Sequence, residues 1–248
     1  MFKSFQFLGY MGGVPTRYSD TTSAVLDSSK FSVLIDAGEN TFRNLLKSGY
    51  KIQKVKYIFI THMHPDHIGG LIPFLFYKKV LRIDTPLILI GPARLQDYIQ
   101  SSFEFSQSFP DYDIQFINIQ NHSEIYFSEG FKILSKPLDH SIPCYGYRFE
   151  HNRNSFVYIT DTRITDNSYK LAKQSNILVH ESTFPGSMED LANEKFHATI
   201  HEAIHLADKG GVGRLILSHF SQRMKEKEYS NFTYNGFPCF ISTNKITI

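Results

Sequence analysis

Short apolar runs rich in β-branched and aromatic residues alternate along the chain with stretches of helical period, and polar residues close many of the runs. The first clear run covers residues 31–35 and leads straight into Asp36. Further runs at 57–61, 86–90, 113–119, 131–136, 145–150, 156–160, 177–180 and 214–218 predict strands. Helical spacing predicts helices over 41–48, 67–77, 92–103, 167–174 and 199–209, the last stopped by Gly210 and Gly211. Such alternation implies an α/β fold. No long linker, repeat or low-complexity segment interrupts it, and the length suits one large α/β domain or two small ones; the expectation is a single domain over residues 1–248.

Five of the predicted strands end in a polar residue able to bind a metal: Asp36, His62, Asp161, His180 and His219. Sites in α/β proteins sit beyond strand ends, where loops carry chemistry on a rigid frame. Any one of the five reads equally well as a satisfied cap, but the set points to a site.

Composition narrows the setting. The hydrophobic fraction of 42% and charged fraction of 20% are those of an ordinary globular chain. No apolar run reaches the roughly 20 residues needed to span a bilayer, and residues 1–9 are too short and too broken for a signal peptide. Cys144 and Cys239 set out no disulfide framework. These features read as a cytoplasmic protein. The net charge of +2 permits an RNA substrate without arguing for one. The basic clusters, Lys51/Lys54/Lys56, Lys78/Lys79/Arg82 and Arg223/Lys225/Lys227, read as solvated faces.

Chemistry concentrates in Thr61-His62-Met63-His64-Pro65-Asp66-His67, directly after a buried strand. Three imidazoles and a carboxylate within six residues suit zinc or a similar transition metal. His62 and His64 can reach one ion, Asp66 and His67 a second, and Gly69-Gly70 allows close backbone approach. Four residues do not close two metal sites. His140, Asp161 and His219 are the candidates to complete them: His140 on the first ion, His219 on the second, and Asp161 bridging both. A water shared by two such ions loses a proton near neutral pH and becomes a nucleophile.

Glu181 and His197 look placed for proton transfer to a leaving alkoxide, although His197 also reads as a helix-start residue. Asp36 is a candidate outer partner for a ligand histidine. His201 and His205, four apart on one helical face, lack a third ligand and read as packing or solvent residues. His122 and His151 lie in polar turns.

These segments resemble the metallo-β-lactamase fold and, within it, tRNase Z, the endoribonuclease that trims the 3′ end of precursor tRNA. The likeness runs nearly end to end. It takes in Phe7-Leu8-Gly9, Gly13-Val14-Pro15-Thr16, Asp36-Ala37-Gly38-Glu39-Asn40-Thr41 and the His62–His67 signature. It continues through Gly91-Pro92, Pro137-x-x-His140, Tyr145-Gly146-Tyr147-Arg148 and Asp161-Thr162. It closes with His180-Glu181-Ser182-Thr183-Phe184, Phe196-His197-Ala198-Thr199 and Ser218-His219-Phe220-Ser221-x-Arg223. The resemblance implies a four-layer αββα sandwich with the metals at one edge and the ligand set named above. It also implies that Glu181 and His197 protonate the leaving group, that Asp66 helps orient the water, and that Ser221 and Arg223 lie near the scissile phosphate.

One departure separates the chain from that pattern. The family inserts a Gly/Pro-rich basic arm that grips the body of the tRNA, between the strand after the His140 region and the strand leading to Asp161. Here His151-Asn152-Arg153-Asn154 joins the two strands as a short hairpin turn. The leading expectation is therefore a dinuclear-zinc phosphodiesterase, an arm-less tRNase Z-like endoribonuclease on precursor tRNA. The alternatives are a phosphodiesterase of small or cyclic phosphodiesters, a carboxylic-ester or lactone hydrolase, and a binding module. Manganese or iron would suit the same ligands. Family members commonly form homodimers, and the aromatic content of 15% would serve an interface or a core equally.

Overall fold

The computed structural model describes residues 2–241 and 245–248. Two compact units divide the chain, one of Met1–Asn121 with Thr243–Ile248, the other of His122–Ser242. No helix among the described residues is long and apolar enough to cross a membrane.

The first unit is built on a seven-stranded sheet. Its strands are β1 (Phe2–Gly9), β2 (Ser23–Ser28), β3 (Ser32–Ala37), β4 (Val55–Phe59), β5 (Leu87–Gly91) and β6 (Ile114–Asn118). They lie in that order, with the C-terminal strand Ile246–Thr247 antiparallel on the outer side of β1. β1 to β3 form an antiparallel meander, and β3 to β6 run parallel. Parallel strands need crossovers, here made by α1 (Thr41–Lys47), α2 (Pro65–Ile68) with α3 (Leu71–Val80), and α4 (Arg94–Ser106). Leu34, Ile58, Leu89, Phe74 and Phe103 belong to the core between these helices and the sheet, each at most 1% exposed.

The second unit carries a six-stranded sheet in the order β12-β11-β10-β9-β8-β7. These are β7 (Glu124–Tyr126), β8 (Lys132–Leu138), β9 (Cys144–His151), β10 (Asn154–Ile159), β11 (Ile177–Glu181) and β12 (Arg214–Ser218). β7 to β10 are antiparallel and β10 to β12 parallel. The helices are α5 (Asp166–Ala172), α6 (Glu189–Glu194), α7 (Ile200–Gly210) and α8 (Glu226–Tyr229). Capping boxes at Thr165 and Thr199 open α5 and α7, and Gly211 closes α7 at φ 64°, where a side chain would be strained. β9 and β10 meet through Asn152 and Arg153 alone, His151 pairing with Asn154 and Asn152 taking φ 55°. That two-residue turn leaves no insertion at this point of the chain.

Two strands lie outside the predicted set, and two expectations need correction. β1 and β2 were not legible as strands, because both are buried almost along their whole length and carry Ser4, Gln6, Ser23 and Asp27 among their apolar residues. The helix expected over 67–77 is two helices. It breaks at Gly69-Gly70, where the Gly70 amide donates to the Ala37 carbonyl at 2.8 Å and any Cβ on Gly70 would lie 2.0 Å from the Gly38 oxygen. Finally, Lys78 is not on a solvated face: it is fully buried, its Nζ donating to the Ile83 carbonyl at 2.6 Å and to that of Thr85, 3.6 Å from the Tyr112 ring centroid.

Burial pushes the Lys78 ammonium down to about 8, with Asp84 and Asp111 opposing the fall. Below pH 8 the folded chain therefore holds a proton it binds less tightly than the unfolded chain does. That penalty lifts between about pH 8 and the ordinary lysine value near 10.4. Urea unfolding should show the wild type gaining up to about 3 kcal/mol over the Lys78→Met variant across this window. A difference independent of pH would rule the assignment out.

Candidate metal centre and active site

In the first unit a cluster of polar side chains lies between the end of β4 and the start of α2. His62 and His67 are fully buried, and Asp36, at the end of β3, is buried beside them with a left-handed backbone at φ 57°. The Asp36 carboxylate accepts the Thr61 amide at 2.8 Å and the Thr61 hydroxyl at 2.9–3.0 Å. It also accepts His67 Nδ1–H at 2.8 Å. Burial raises the Asp36 carboxyl above its ordinary value, and the His67 contact opposes that rise. A hydroxyl has one proton to give. Since Thr61 gives its proton to Asp36, it accepts from His62 Nδ1–H, 3.0 Å away.

Both rings are thereby held as the tautomer that presents Nε2 as an electron-pair donor. Carboxylate and hydroxyl partners of this kind orient metal-ligating histidines. His62 Nε2 lies 3.0 Å from His64 Nδ1, so two ring nitrogens converge on one point. Asp66 Oδ2 accepts the Gly13 amide at 2.7 Å and sits 3.5 Å from His67 Nε2.

In the second unit a separate cluster forms at three strand ends. His140 follows β8, Asp161 follows β10 and His219 follows β12. Asp161 and His219 take φ of 44° and 58°. Side chains seldom adopt that backbone, which recurs at functional turns. The Asp161 carboxylate receives both histidines, His219 Nε2 3.1 Å from Oδ1 and His140 Nε2 3.8 Å from Oδ2. Each histidine anchors its other nitrogen, His140 Nδ1–H on the Phe196 carbonyl at 3.2 Å and His219 Nδ1–H on Thr183 Oγ1 at 2.9 Å.

Glu181, the last residue of β11, is fully buried. Its Oε1 accepts the Thr162 amide at 2.7 Å and His197 Nδ1–H at 3.0 Å; Oε2 accepts the Thr183 hydroxyl at 2.6 Å. Burial alone would raise this carboxyl, but the charge and hydrogen bond of His197 more than offset it and hold the group below its ordinary value. Glu181 is thus an ionised acceptor that fixes the His197 ring and leaves Nε2 as the nitrogen able to hand over a proton. One donor atom each from Asp161, His197 and His219 lies within 4.8 Å of the others.

In the first unit His62 and His67, and in the second His140, His197 and His219, present Nε2 with Nδ1 anchored, each set beside a carboxylate, and donors of this kind fit divalent metal ions. His62, His64, Asp66 and His67 gather in one unit, and His140, Asp161, Glu181, His197 and His219 in the other. Of the five strand-end residues His180 is the exception. It is fully buried, its Nδ1–H donates to the Glu181 carbonyl at 2.7 Å, and burial lowers its basicity so that it stays neutral. His201, His205 and His122 are exposed. Ser221 is buried, and Arg223 is exposed with its guanidinium 5.5 Å from the Phe184 ring centroid. Gly13, Thr183 and the Phe196 carbonyl were not anticipated as parts of the site. Only the position of Thr183 two residues after Glu181 hinted at its role.

Comparison with known proteins agrees with this geometry. A family model described as a beta-lactamase superfamily domain matches residues 32–220. Ribonuclease Z of Enterococcus faecalis is 31% identical, the match covering 90% of this chain and 88% of the relative. The chain belongs to the ribonuclease Z branch of the metallo-β-lactamase superfamily. Ribonuclease BN of Proteus mirabilis is 30% identical over 275 residues, covering 90% of each chain. That span exceeds the 248 residues of this member, so the relative carries residues for which this chain has no counterpart. The structure of the short form of human tRNase Z superposes with a TM-score of 0.81 at 27% identity, covering 89% of this chain and 93% of that one. The fold is accordingly the metallo-β-lactamase fold, and this family member is a metal-dependent hydrolase.

Proposed function

We propose that this protein is an endoribonuclease that cleaves precursor tRNA at the 3′ side of the mature sequence, leaving a 3′-hydroxyl. The observation that carries the reading is the hydrogen-bonded pair of the buried Glu181 and the part-buried His197 beside the Asp161 carboxylate. Cleavage of a phosphodiester expels an alkoxide that needs a proton, whereas attack on an ester or lactone carbonyl has less use for such a donor. The relatives named for ribonuclease Z support RNA as the substrate class.

In this reading residues 1–248 act as one domain, and the two half-sets of ligands together hold two divalent ions, zinc in the first instance and manganese or iron by the same donors. His62, His64 and His140 would hold one ion, Asp66, His67 and His219 the other, and Asp161 would contribute to both. When bound, such ions would supply an activated water and neutralise charge developing on the phosphoryl oxygens. The chain's own residues do the rest. Asp66, steadied by the Gly13 amide, orients the attacking water. Glu181 holds His197 so that its Nε2 delivers a proton to the departing ribose oxygen. Ser221 and Arg223 contact the phosphate next to the cleaved bond. In this reading the protein acts in the cytoplasm, and a homodimer is the assembly that the family resemblance implies.

A second reading, hydrolysis of small or cyclic phosphodiesters, is favoured by the two-residue turn at Asn152-Arg153, which omits the family's arm. Metal-analysed protein offered precursor tRNA, cyclic nucleotides and bis(p-nitrophenyl) phosphate separates the two. Endonucleolytic cuts at the tRNA 3′ boundary are the expected result. Turnover of the small diesters alone would replace the endoribonuclease with the second reading.

A further inference from the structure

Phe196 occupies a backbone conformation that a bulky aromatic residue rarely adopts, φ 60°. It is nevertheless the residue on which two parts of the site depend. Its carbonyl accepts His140 Nδ1–H at 3.2 Å, and the next residue in the chain is His197. The centroids of those two rings lie 5.2 Å apart. Strained conformations persist where their surroundings over-determine them, which raises the question of what holds Phe196.

The answer lies in a pair of residues that the reaction itself does not use. The Arg163 guanidinium lies 4.5 Å from the Phe196 ring centroid. Its Nε and Nη2 both close on Asp139 Oδ2, at 2.8 and 2.7 Å. The main chains are joined as well. Arg163 N–H donates to the Asp139 carbonyl at 3.1 Å, and Asp139 N–H donates to Thr162 Oγ1 at 3.1 Å. Asp139 precedes His140, and Arg163 stands two residues after Asp161. A single clasp therefore ties the His140 turn to the Asp161 turn and covers Phe196, just before His197. The Arg163 and Asp139 side chains are 37% and 39% exposed, and pairs so open to water contribute little to stability. Arrangement rather than stability is what the pair offers.

We propose that Arg163 is a positioning residue: clamped by Asp139, it holds the Phe196 ring, and through the Phe196 backbone it aims His140 and His197 together. The role of His140 as ligand and His197 as proton donor rests on the function proposed above, whereas the clasp itself does not. Arginine suits the task because its planar group stacks on a ring while pairing edge-on with a carboxylate. The lysine ammonium is a point charge that cannot do both.

The decisive experiment begins with metal-free protein. In the wild type the His140 Nδ1 proton, held on the Phe196 carbonyl, should give a slowly exchanging imidazole resonance by 15N NMR. Arg163→Ala should lose it at unchanged circular dichroism, and Arg163→Lys should recover it only in part. With zinc, Arg163→Ala should bind about 10- to 100-fold more weakly in chelator competition, the range typical of lost outer partners, and kcat should fall in step while KM holds. Gly adopts positive φ without strain, so adding Arg163→Ala to Phe196→Gly should cost far less than it does in the wild type. An unchanged His140 resonance and zinc affinity in Arg163→Ala would overturn the proposal, as would a lowered melting temperature with both retained. A wild type that keeps the resonance but cuts no phosphodiester overturns the proposed function and leaves the clasp standing.

Discussion

His197→Ala should lower the rate of precursor tRNA cleavage by about 10²- to 10⁴-fold, the span associated with a positioned general acid, with the bound metal retained. The distinguishing feature is dependence on the leaving group. A ribose alkoxide is a poor leaving group and needs a proton, which the proposed function assigns to His197 Nε2. A p-nitrophenolate departs without one. The same variant should therefore hydrolyse bis(p-nitrophenyl) phosphate at close to the wild-type rate. Glu181→Gln should follow in the same direction, because the carboxylate that accepts His197 Nδ1–H at 3.0 Å fixes which nitrogen faces the substrate. The competing outcome is concrete: His197 has a donor atom within 4.8 Å of those of Asp161 and His219. If His197→Ala loses metal and slows both substrates equally, His197 is a ligand rather than an acid.

The second large effect is expected at Asp161. Two histidines turn their Nε2 atoms toward its carboxylate, and its backbone sits at φ 44°. Alanine there would add backbone strain to the loss of charge. Asparagine tolerates the left-handed region and so isolates the chemistry. In Asp161→Asn the metal stoichiometry should drop, and kcat should fall by more than the roughly 100-fold that marks loss of an outer partner. Metal content by atomic emission, read beside single-turnover rates, checks both. Full occupancy with a rate near wild type would remove Asp161 from the ligand set.

The architecture was legible where apolar runs were short, continuous and closed by a polar residue. β3, β4 and β12 are of this kind, and β12 runs over Arg214–Ser218, the range its pattern predicted. β1 and β2 were missed because strands covered on both faces do not alternate, and because a buried Ser or Gln among apolar residues weakens the run. The pairing that seats β1, Ser4 with Thr247, joins the two ends of the chain and leaves no local trace. The break between α2 and α3 depends on a carbonyl 32 residues upstream of Gly70, since Gly38 and Ala37 occupy the space a continuous helix would need. Lys78 misled for a similar reason. A lysine reads as a solvated residue until a loop folds back to offer it the Ile83 and Thr85 carbonyls.

The same division runs through the site. By itself the sequence determined the residue types of the candidate metal centre, for three imidazoles and a carboxylate between His62 and His67 have few other uses, and it marked Asp36, Asp161 and His219 by their places at strand ends and His140 by its place after Pro137-Leu138-Asp139. It also determined that the hairpin after His151 is short. Only the tertiary structure decided which nitrogen each histidine presents, that His180 turns to a carbonyl, and that Gly13, Thr183 and Phe196 hold the working groups in place. The reason is physical. Metal-binding chemistry needs particular side chains, which a sequence displays, whereas aiming those side chains uses backbone amides, carbonyls and hydroxyls. Those groups occur throughout every chain, and they acquire a role only when folding brings residues such as His140 and Phe196, 56 apart, within 3.2 Å.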